Sequence, residues 1–482
     1  MKANIGLIGL AVMGENLVLN LESKGYRVAV YNRTISKVDD FHSNRGKDKN
    51  IIFTHSLEEL VNSVERPRKI MMMVKAGSAV DSNIDLLLPL LEKGDIIIDG
   101  GNSNYLDTER RMQKVESENK YFIGCGISGG EDGALNGPSL MVGGSKAAYK
   151  EIKPMFEAIS AKVDNNTPCC AWIGTGGAGH FVKMVHNGIE YADMQLIAET
   201  YNIMKKVYHL STEEMATLFS SWNEGELNSY LIEITSHILK YKTDENHYLL
   251  DNILDVAGQK GTGKLSAITA LEINVPLTLV SSSVFERYLS AEKGEREEAS
   301  KLYKKPASTN VNKTQDFANK LKAALYCGKI ISYTQGFELM KRMSDEKGWE
   351  LNLGEIALIW RGGCIIRSAF LNKIDDAYKD NSKLSNLVFD PFFKEVLTEG
   401  EQALREIVAL SITSRISCPT LSSAINWFDS FTDNDMPTSL IQAQRDYFGS
   451  HTYERKDTER GQFFHTNWTG KGGNTTSNSY NG

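Results

Sequence analysis

Apolar residues in the first third of the chain fall in short runs bounded by turn residues: IGLIGL (5–10), RVAVYN (27–32), KIMMMV (69–74) and DIIIDG (95–100). Between them, ENLVLNLESKG (15–25) and AVDSNIDLLLPLLEKG (79–94) carry helical spacing. Strands alternating with helices predict a doubly wound α/β domain, a parallel sheet covered by helices on both faces. The pattern changes after about residue 176, where long amphipathic segments take over, among them 180–206 and 317–348. This stretch predicts a large all-α domain reaching to about residue 430. It repeats itself weakly at about 140 residues. Gly188 and Gln195 align with Gly328 and Gln335, and Trp222 and Gly225 with Trp360 and Gly363. The end differs again: a basic, aromatic segment (444–457) leads into a Gly/Asn/Ser/Thr-rich stretch (468–482). Such a tail cannot bury a core of its own, so it is expected to be disordered or held by a partner subunit. The expected domains are 1–176, 177–434 and an extended C-terminal tail, 435–482.

Composition narrows the class. A chain of 482 residues exceeds one ordinary core, and 41% hydrophobic with 24% charged residues is the balance of a soluble globular protein. A net charge of −7 argues against nucleic-acid or anionic-membrane partners. No apolar run reaches the roughly 18 residues that a membrane span needs, and the N-terminus has no cleavable signal pattern. The six cysteines form no CxxC pair and have no His at zinc spacing, so they read as reduced, packed thiols of a cytoplasmic protein.

Gly9-Leu10-Ala11-Val12-Met13-Gly14 ends a strand and opens a helix, where a Rossmann-type dinucleotide fingerprint belongs. The first glycine permits the turn, the last lets helix and strand approach, and the helix N-terminus offers free N–H groups to a pyrophosphate. Ala11 stands where a second glycine is usual. Roughly 20 residues on, the second strand ends in Asn32-Arg33-Thr34, without the acidic residue that would bind a ribose hydroxyl. Arg33 suits a 2′-phosphate, with Thr34 and Lys37 beside it, so NADP is favoured over NAD.

Two further glycine-rich turns, 99–103 and 126–130, follow strands and should border the same crevice. Asn102, Ser128, Gly129 and Gly130 there can hold a carboxylate or hydroxyl. Lys183, His186, Asn187 and Glu190 fall on one helix face through i, i+3, i+4 and i+7 spacing. The aligned residues of the second repeat are Ala323, Tyr326, Cys327 and Ile330, which places the chemistry on the first copy. No Asp, Glu or His cluster at metal spacing is present, and no metal is expected.

GLAVMG, NRT, DGGNS, GISGGEDGALNGPSLMVGG and KMVHNGIEYADMQ resemble the signature segments of the 6-phosphogluconate dehydrogenase family, within the wider β-hydroxyacid dehydrogenases. The resemblance continues through GQKGTGKLSAI (258–268), Glu286-Arg287 and RDYFGSHTYER (445–455). It implies NADP-dependent oxidative decarboxylation of 6-phosphogluconate to ribulose 5-phosphate in the pentose phosphate pathway. Lys183 would be the general base and then acid, and Glu190 the acid that protonates the enediol. Val74, Lys75, Ala76 and Asn102 complete the implied cofactor set. Asn102, Ser128, Gly129, Gly130, His186 and Asn187 would orient substrate. Tyr191, Lys260, Thr262, Arg287 and Arg445 would take the sugar phosphate. The resemblance also implies a homodimer in which Arg445 and His451 reach the neighbouring active site.

Three other readings compete. Residues 258–264 mimic a P-loop, but Leu265 stands where a magnesium-binding Ser or Thr belongs. Another hydroxyacid dehydrogenase acting on an unphosphorylated acid would leave Lys260, Arg287 and Arg445 without work. A non-catalytic NADP-binding protein would not need Lys183 and Glu190 together.

Overall fold

The computed structural model describes residues 1–303, 315–472 and 475–476. It divides into two compact units, Met1–Ala424 and Ile425–Gly482.

The first unit opens with seven strands, each followed by a helix. They are β1 (Ile5–Ile8), α1 (Val12–Ser23), β2 (Val28–Tyr31), α2 (Ser36–Ser43), β3 (Ile51–Phe53), α3 (Leu57–Ser63) and β4 (Lys69–Met72). There follow α4 (Ser78–Leu87), β5 (Ile96–Asp99), α5 (Tyr105–Ser117), β6 (Tyr121–Ile127), α6 (Gly130–Asn136), β7 (Leu140–Gly144) and α7 (Lys146–Ile159). A two-residue ribbon, β8 (Lys162–Val163) with β9 (Thr167–Pro168), leads to β10 (Cys170–Gly174). The sheet order is β3-β2-β1-β4-β5-β6-β7-β10, all neighbours parallel except β6 and β7. Strand order reverses between β1 and β4, so the turns after these strands border the crevice of a doubly wound sheet. The run read at 95–100 becomes β5, whose four residues are all buried, as a strand covered on both faces requires.

Helices fill the rest of this unit. They are α8 (Ala178–Lys206), α9 (Thr212–Trp222), α10 (Tyr230–Lys240), α11 (Thr262–Glu272), α12 (Thr278–Ala291) and α13 (Lys293–Leu302). The series continues with α14 (Gln315–Lys347), α15 (Leu353–Ile359), α16 (Leu371–Asp380) and α17 (Pro391–Thr413), and the division at Ala424 falls within α18 (Pro419–Thr432). The 29-residue α8 packs against β6, β7, α11 and α14, so one helix carries its N-terminal half along the sheet. All six cysteines are free and buried. Among the described residues no helix is long and apolar enough to cross a membrane.

In the second unit α19 (Thr438–Gly449) precedes a short antiparallel pair, β11 (Tyr453–Glu454) and β12 (Phe463–Phe464). The tail is thus ordered locally through 472, where the sequence suggests disorder or an external partner. The organiser is polar: Asp446, fully buried, accepts hydrogen bonds from the backbone N–H groups of Thr452 and Thr466 and from the Trp468 indole, and pairs with His465 at 2.8 Å. A single carboxylate with four partners replaces an apolar core, a device that hydrophobic patterning does not reveal. Of the expected Gly/Asn/Ser/Thr-rich end, 473–474 and 477–482 lie outside the described residues.

Candidate active site

Gly9 to Ala11 form the turn between β1 and α1, and Val12 to Gly14 open the helix. A Cβ on Gly14 would stand 1.9 Å from the Gly9 carbonyl oxygen, so helix and strand meet at a distance only glycine allows. Ala11, in extended conformation, is the N-cap of α1 and offers no side-chain cap. The first N–H groups of the helix are therefore left for a ligand, with the positive dipole end behind them. Asn32 ties the two turns together: its Oδ1 accepts from Leu10 N at 3.0 Å, and its Nδ2 donates to Thr34 O at 2.9 Å. Arg33 and Thr34 are exposed beside it. Val74, Lys75 and Ala76 lie in the turn after β4, and Asn102 in the turn after β5, across the strand-order reversal.

A cleft of about 570 Å³ opens next to this crevice. Met13 and Asn102 form its cofactor-side wall, and Ser128, Gly129 and Gly130 the end of β6. Lys183, Asn187, Glu190 and Tyr191 come from α8, Lys260 from the loop before α11, Thr262 as the first residue of α11, and Arg287 from α12. The elements meet closely because Gly126 lies under α8, where a Cβ would strike Lys183 Cβ at 2.3 Å.

His186 lies behind the wall, fully buried, and joins its neighbours into one network. Its Nε2 is 3.1 Å from Ser128 Oγ, and its Nδ1 is 3.0 Å from Asn187 Oδ1 and 3.4 Å from Lys183 Nζ. Asn187 Nδ2 donates in turn to Thr262 Oγ1 at 3.2 Å. Burial, reinforced by Lys183, pushes the imidazole well below its ordinary range, so it is neutral. A neutral ring that donates from Nδ1 to the Asn187 carbonyl accepts the Ser128 hydroxyl at Nε2, which fixes the tautomer. Burial also pulls the Lys183 ammonium down to about 8, against the opposing pull of Glu190 and Cys364. Burial raises the Glu190 carboxyl, opposed by Lys183 and Arg287. An amine near neutrality and a carboxyl held toward its acid form thus share one helix face.

At the far end of the cleft, the Arg287 guanidinium stacks on the Tyr191 ring at 3.7 Å and donates to Gly258 O at 2.8 Å. The Tyr191 hydroxyl accepts from Lys260 N at 3.3 Å. Gly261, at φ +90°, caps α11 without a side chain, so the free N–H groups of its first turn join Lys260, Thr262 and Arg287 in a basic cradle.

Arg445 and His451 belong to the second unit. Arg445 donates to Gln442 Oε1 at 3.1 Å and lines a cavity there with Glu454, Lys456 and Arg460. His451 packs edge-on against Phe448. Sequence reasoning missed Gln259, Met194 and Ile365 in the cleft wall. Gln259 stood inside a quoted motif, and its Oε1 is buried without a hydrogen-bond partner, a fact only the structure reveals. Ile365 arrives from a distant loop and carries no signal.

Two family models cover the chain: the NAD binding domain of 6-phosphogluconate dehydrogenase matches residues 4–174, and the 6-phosphogluconate dehydrogenase C-terminal domain matches residues 179–468. The decarboxylating 6-phosphogluconate dehydrogenase of Treponema pallidum is 54% identical over 486 aligned positions, covering 100% of each chain. That of Drosophila melanogaster is 54% identical over 480, covering 99% of each. A Plasmodium falciparum 6-phosphogluconate dehydrogenase, solved in its apo form, with its cofactor NADP+ and with its substrate 6-phosphogluconate, matches with a TM-score of 0.92. It has 46% identity and covers 96% of this chain and 100% of its own.

Proposed function

The chain belongs to the 6-phosphogluconate dehydrogenase family, and from that premise we propose that it catalyses the NADP-dependent oxidative decarboxylation of 6-phosphogluconate to ribulose 5-phosphate. The observation that carries this reading is a buried amine, Lys183, brought down to about 8 in the same cleft as the cradle of Lys260, Thr262 and Arg287. The uncapped N-terminus of α1 and the exposed Arg33 fit the pyrophosphate and 2′-phosphate of NADP.

When bound, the cofactor supplies the acceptor for the hydride leaving carbon 3. Lys183, neutral, takes the proton of the 3-hydroxyl. Its ammonium then hydrogen-bonds the 3-keto oxygen and stabilises the negative charge that grows there as carbon dioxide departs. Glu190, its carboxyl raised by burial, delivers a proton to carbon 1 of the enediol. Ser128 and Asn187, fixed by neutral His186, orient the carboxylate and hydroxyls together with Asn102, Gly129 and Gly130. Tyr191, Lys260, Thr262 and Arg287 hold the phosphate, which an unphosphorylated acid would not engage.

The proposed domains are 1–176, 177–434 and 435–482, supported by the end of β10 at Gly174 and the start of α8 at Ala178. The active form is a cytoplasmic homodimer, with Arg445 and His451 completing the neighbour's site. A fully active monomer at assay concentration would remove that part.

The test mixes protein, NADP and 6-phosphogluconate and follows nicotinamide absorbance and carbon dioxide together. Matched release of NADPH and carbon dioxide, with little signal from NAD, is the expected result. NADPH without carbon dioxide rejects the decarboxylation, and silence from a folded chain that binds NADP rejects the substrate.

A further inference from the structure

Beneath the cofactor crevice lies a buried charged network that the mechanism above does not use. Arg111 of α5 has a side chain only 1% exposed, yet none of its polar reach is wasted. Nε and Nη2 fork onto the Asp81 carboxylate at 2.9 Å each, and Nη2 also donates to Gly77 O at 3.0 Å. Nη1 donates to Ser103 Oγ at 3.3 Å and stands 3.6 Å from Asp99 Oδ2. Asp99, fully buried, accepts in turn from Ser103 Oγ at 2.6 Å and Gly101 N at 3.0 Å. One guanidinium therefore grips both the start of α4, through Gly77 and Asp81, which closes the turn after β4, and the end of β5 with the turn after it, through Asp99 and Ser103. These are neighbouring turns of the sheet, and between them they carry Val74, Lys75, Ala76 and Asn102.

We propose that Arg111 is a positioning residue for the cofactor: it locks the two turns to each other from below and so sets where their upper residues meet NADP. The inference rests on the cofactor reading above. Geometry favours it over a purely structural role. A fork onto one carboxylate would satisfy a structural arginine, and Arg110 already pairs with Asp81 at 2.9 Å, whereas Arg111 reaches beyond Asp81 to Ser103 and Asp99. A lysine could keep the charge but could not bridge both.

Two substitutions test it. Arg111→Lys keeps the charge against Asp99 and loses the bridge, and Asp81→Asn loosens the hold on the first turn while leaving Asp99 compensated. NADP is titrated against the tryptophan fluorescence of the full chain, and KM is measured for NADP and for 6-phosphogluconate separately. Both variants should raise the NADP dissociation constant about tenfold, about 1.4 kcal/mol, with a smaller change in KM for 6-phosphogluconate, which of these turn residues meets Asn102 alone. A residue that only stabilised the fold would lower the thermal midpoint and the active fraction without moving the affinity of the folded molecules. Should Arg111→Lys fail to fold, Asp81→Asn decides alone. Folded variants that bind NADP as the wild type does overturn the inference while leaving the cofactor reading intact. A wild-type chain that does not bind NADP overturns both.

Discussion

The long helices α8 and α14 pack against each other and are weakly repeated in sequence, Gly188 and Gln195 aligning with Gly328 and Gln335, but they do different work. The stripe on α8 is Lys183, His186, Asn187 and Glu190, and it faces the cleft through three of the four. On α14 the aligned stripe is Ala323, Tyr326, Cys327 and Ile330. It too borders a cavity, of about 470 Å³, through Ala323 and Tyr326, but the charges around that cavity, Glu226, Glu395 and Glu399, come from other elements. The sharper contrast is between two lysines. Lys329 of α14 is fully buried, and Asp193 of α8 accepts from it at 2.5 and 2.6 Å. Lys183 is 6% exposed, and among the described residues its hydrogen-bonding neighbour is the neutral His186, at 3.4 Å. Burial with a carboxylate makes a structural ion pair. Burial beside a carboxylate that acts only through space, as Glu190 does on Lys183, makes a base.

The first way to break this comparison is Lys183→Met, which fills the same space without an amine. Turnover should fall by about a thousandfold, the range of a lost general acid–base. Stability should move the other way. The folded-state value of about 8 lies below the ordinary 10.5, so below pH 8 the native state carries a desolvated ammonium that the unfolded chain bears at no cost. That penalty is full below about pH 8 and fades as pH rises toward 10.5, where both states are neutral. At pH 7 the variant should melt above the wild type in a thermal scan. An unchanged turnover, or a midpoint lowered as by an ordinary core truncation, would sink the reading.

Lys329→Met tests the other lysine and should do the opposite. It leaves the Asp193 carboxylate buried and alone, which costs about 3–5 kcal/mol of stability, while turnover per folded molecule stays near wild type. Chemical denaturation read beside active-site-normalised rates separates the two. If Lys329→Met instead lost turnover with its stability intact, the division of labour between the helices would be wrong.

Much of this was legible in the chain and some of it was not, for physical reasons. The runs 5–10, 27–32, 69–74 and 95–100 became β1, β2, β4 and β5 because strands covered on both faces are written as apolar runs. Strand β7 carries two of its five residues as glycine, and its antiparallel pairing with β6 left no periodic trace. The helix-face spacing put Lys183, Asn187 and Glu190 together, and all three line the cleft, since periodicity fixes which residues share a face. It could not tell that His186 turns inward to hold Ser128 and Asn187 instead of lining the cleft, because that depends on which element packs above it. The Arg111 strut was equally hidden: Gly77, Asp81, Asp99, Ser103 and Arg111 converge only once β4, β5 and α5 have packed. Long-range polar convergence has no local signature.

The smallest expected effect is also the most discriminating, because it separates Lys183 from its neighbours. If the neutral amine is the base, kcat/KM in the free enzyme should rise about tenfold per pH unit up to about 8 and then level off. His186 cannot give that limb, since burial holds it well below its ordinary range and it is already neutral throughout. Glu190 supplies the internal control. Its charge favours the Lys183 ammonium, so Glu190→Gln removes a term that raises the amine and should shift the limb to lower pH while reducing its height. The sign is the point of the measurement. A limb that moved upward, or stayed put, would mean that Glu190 does not act on Lys183 electrostatically. The pairing of base and acid on α8 would then be a matter of spacing alone.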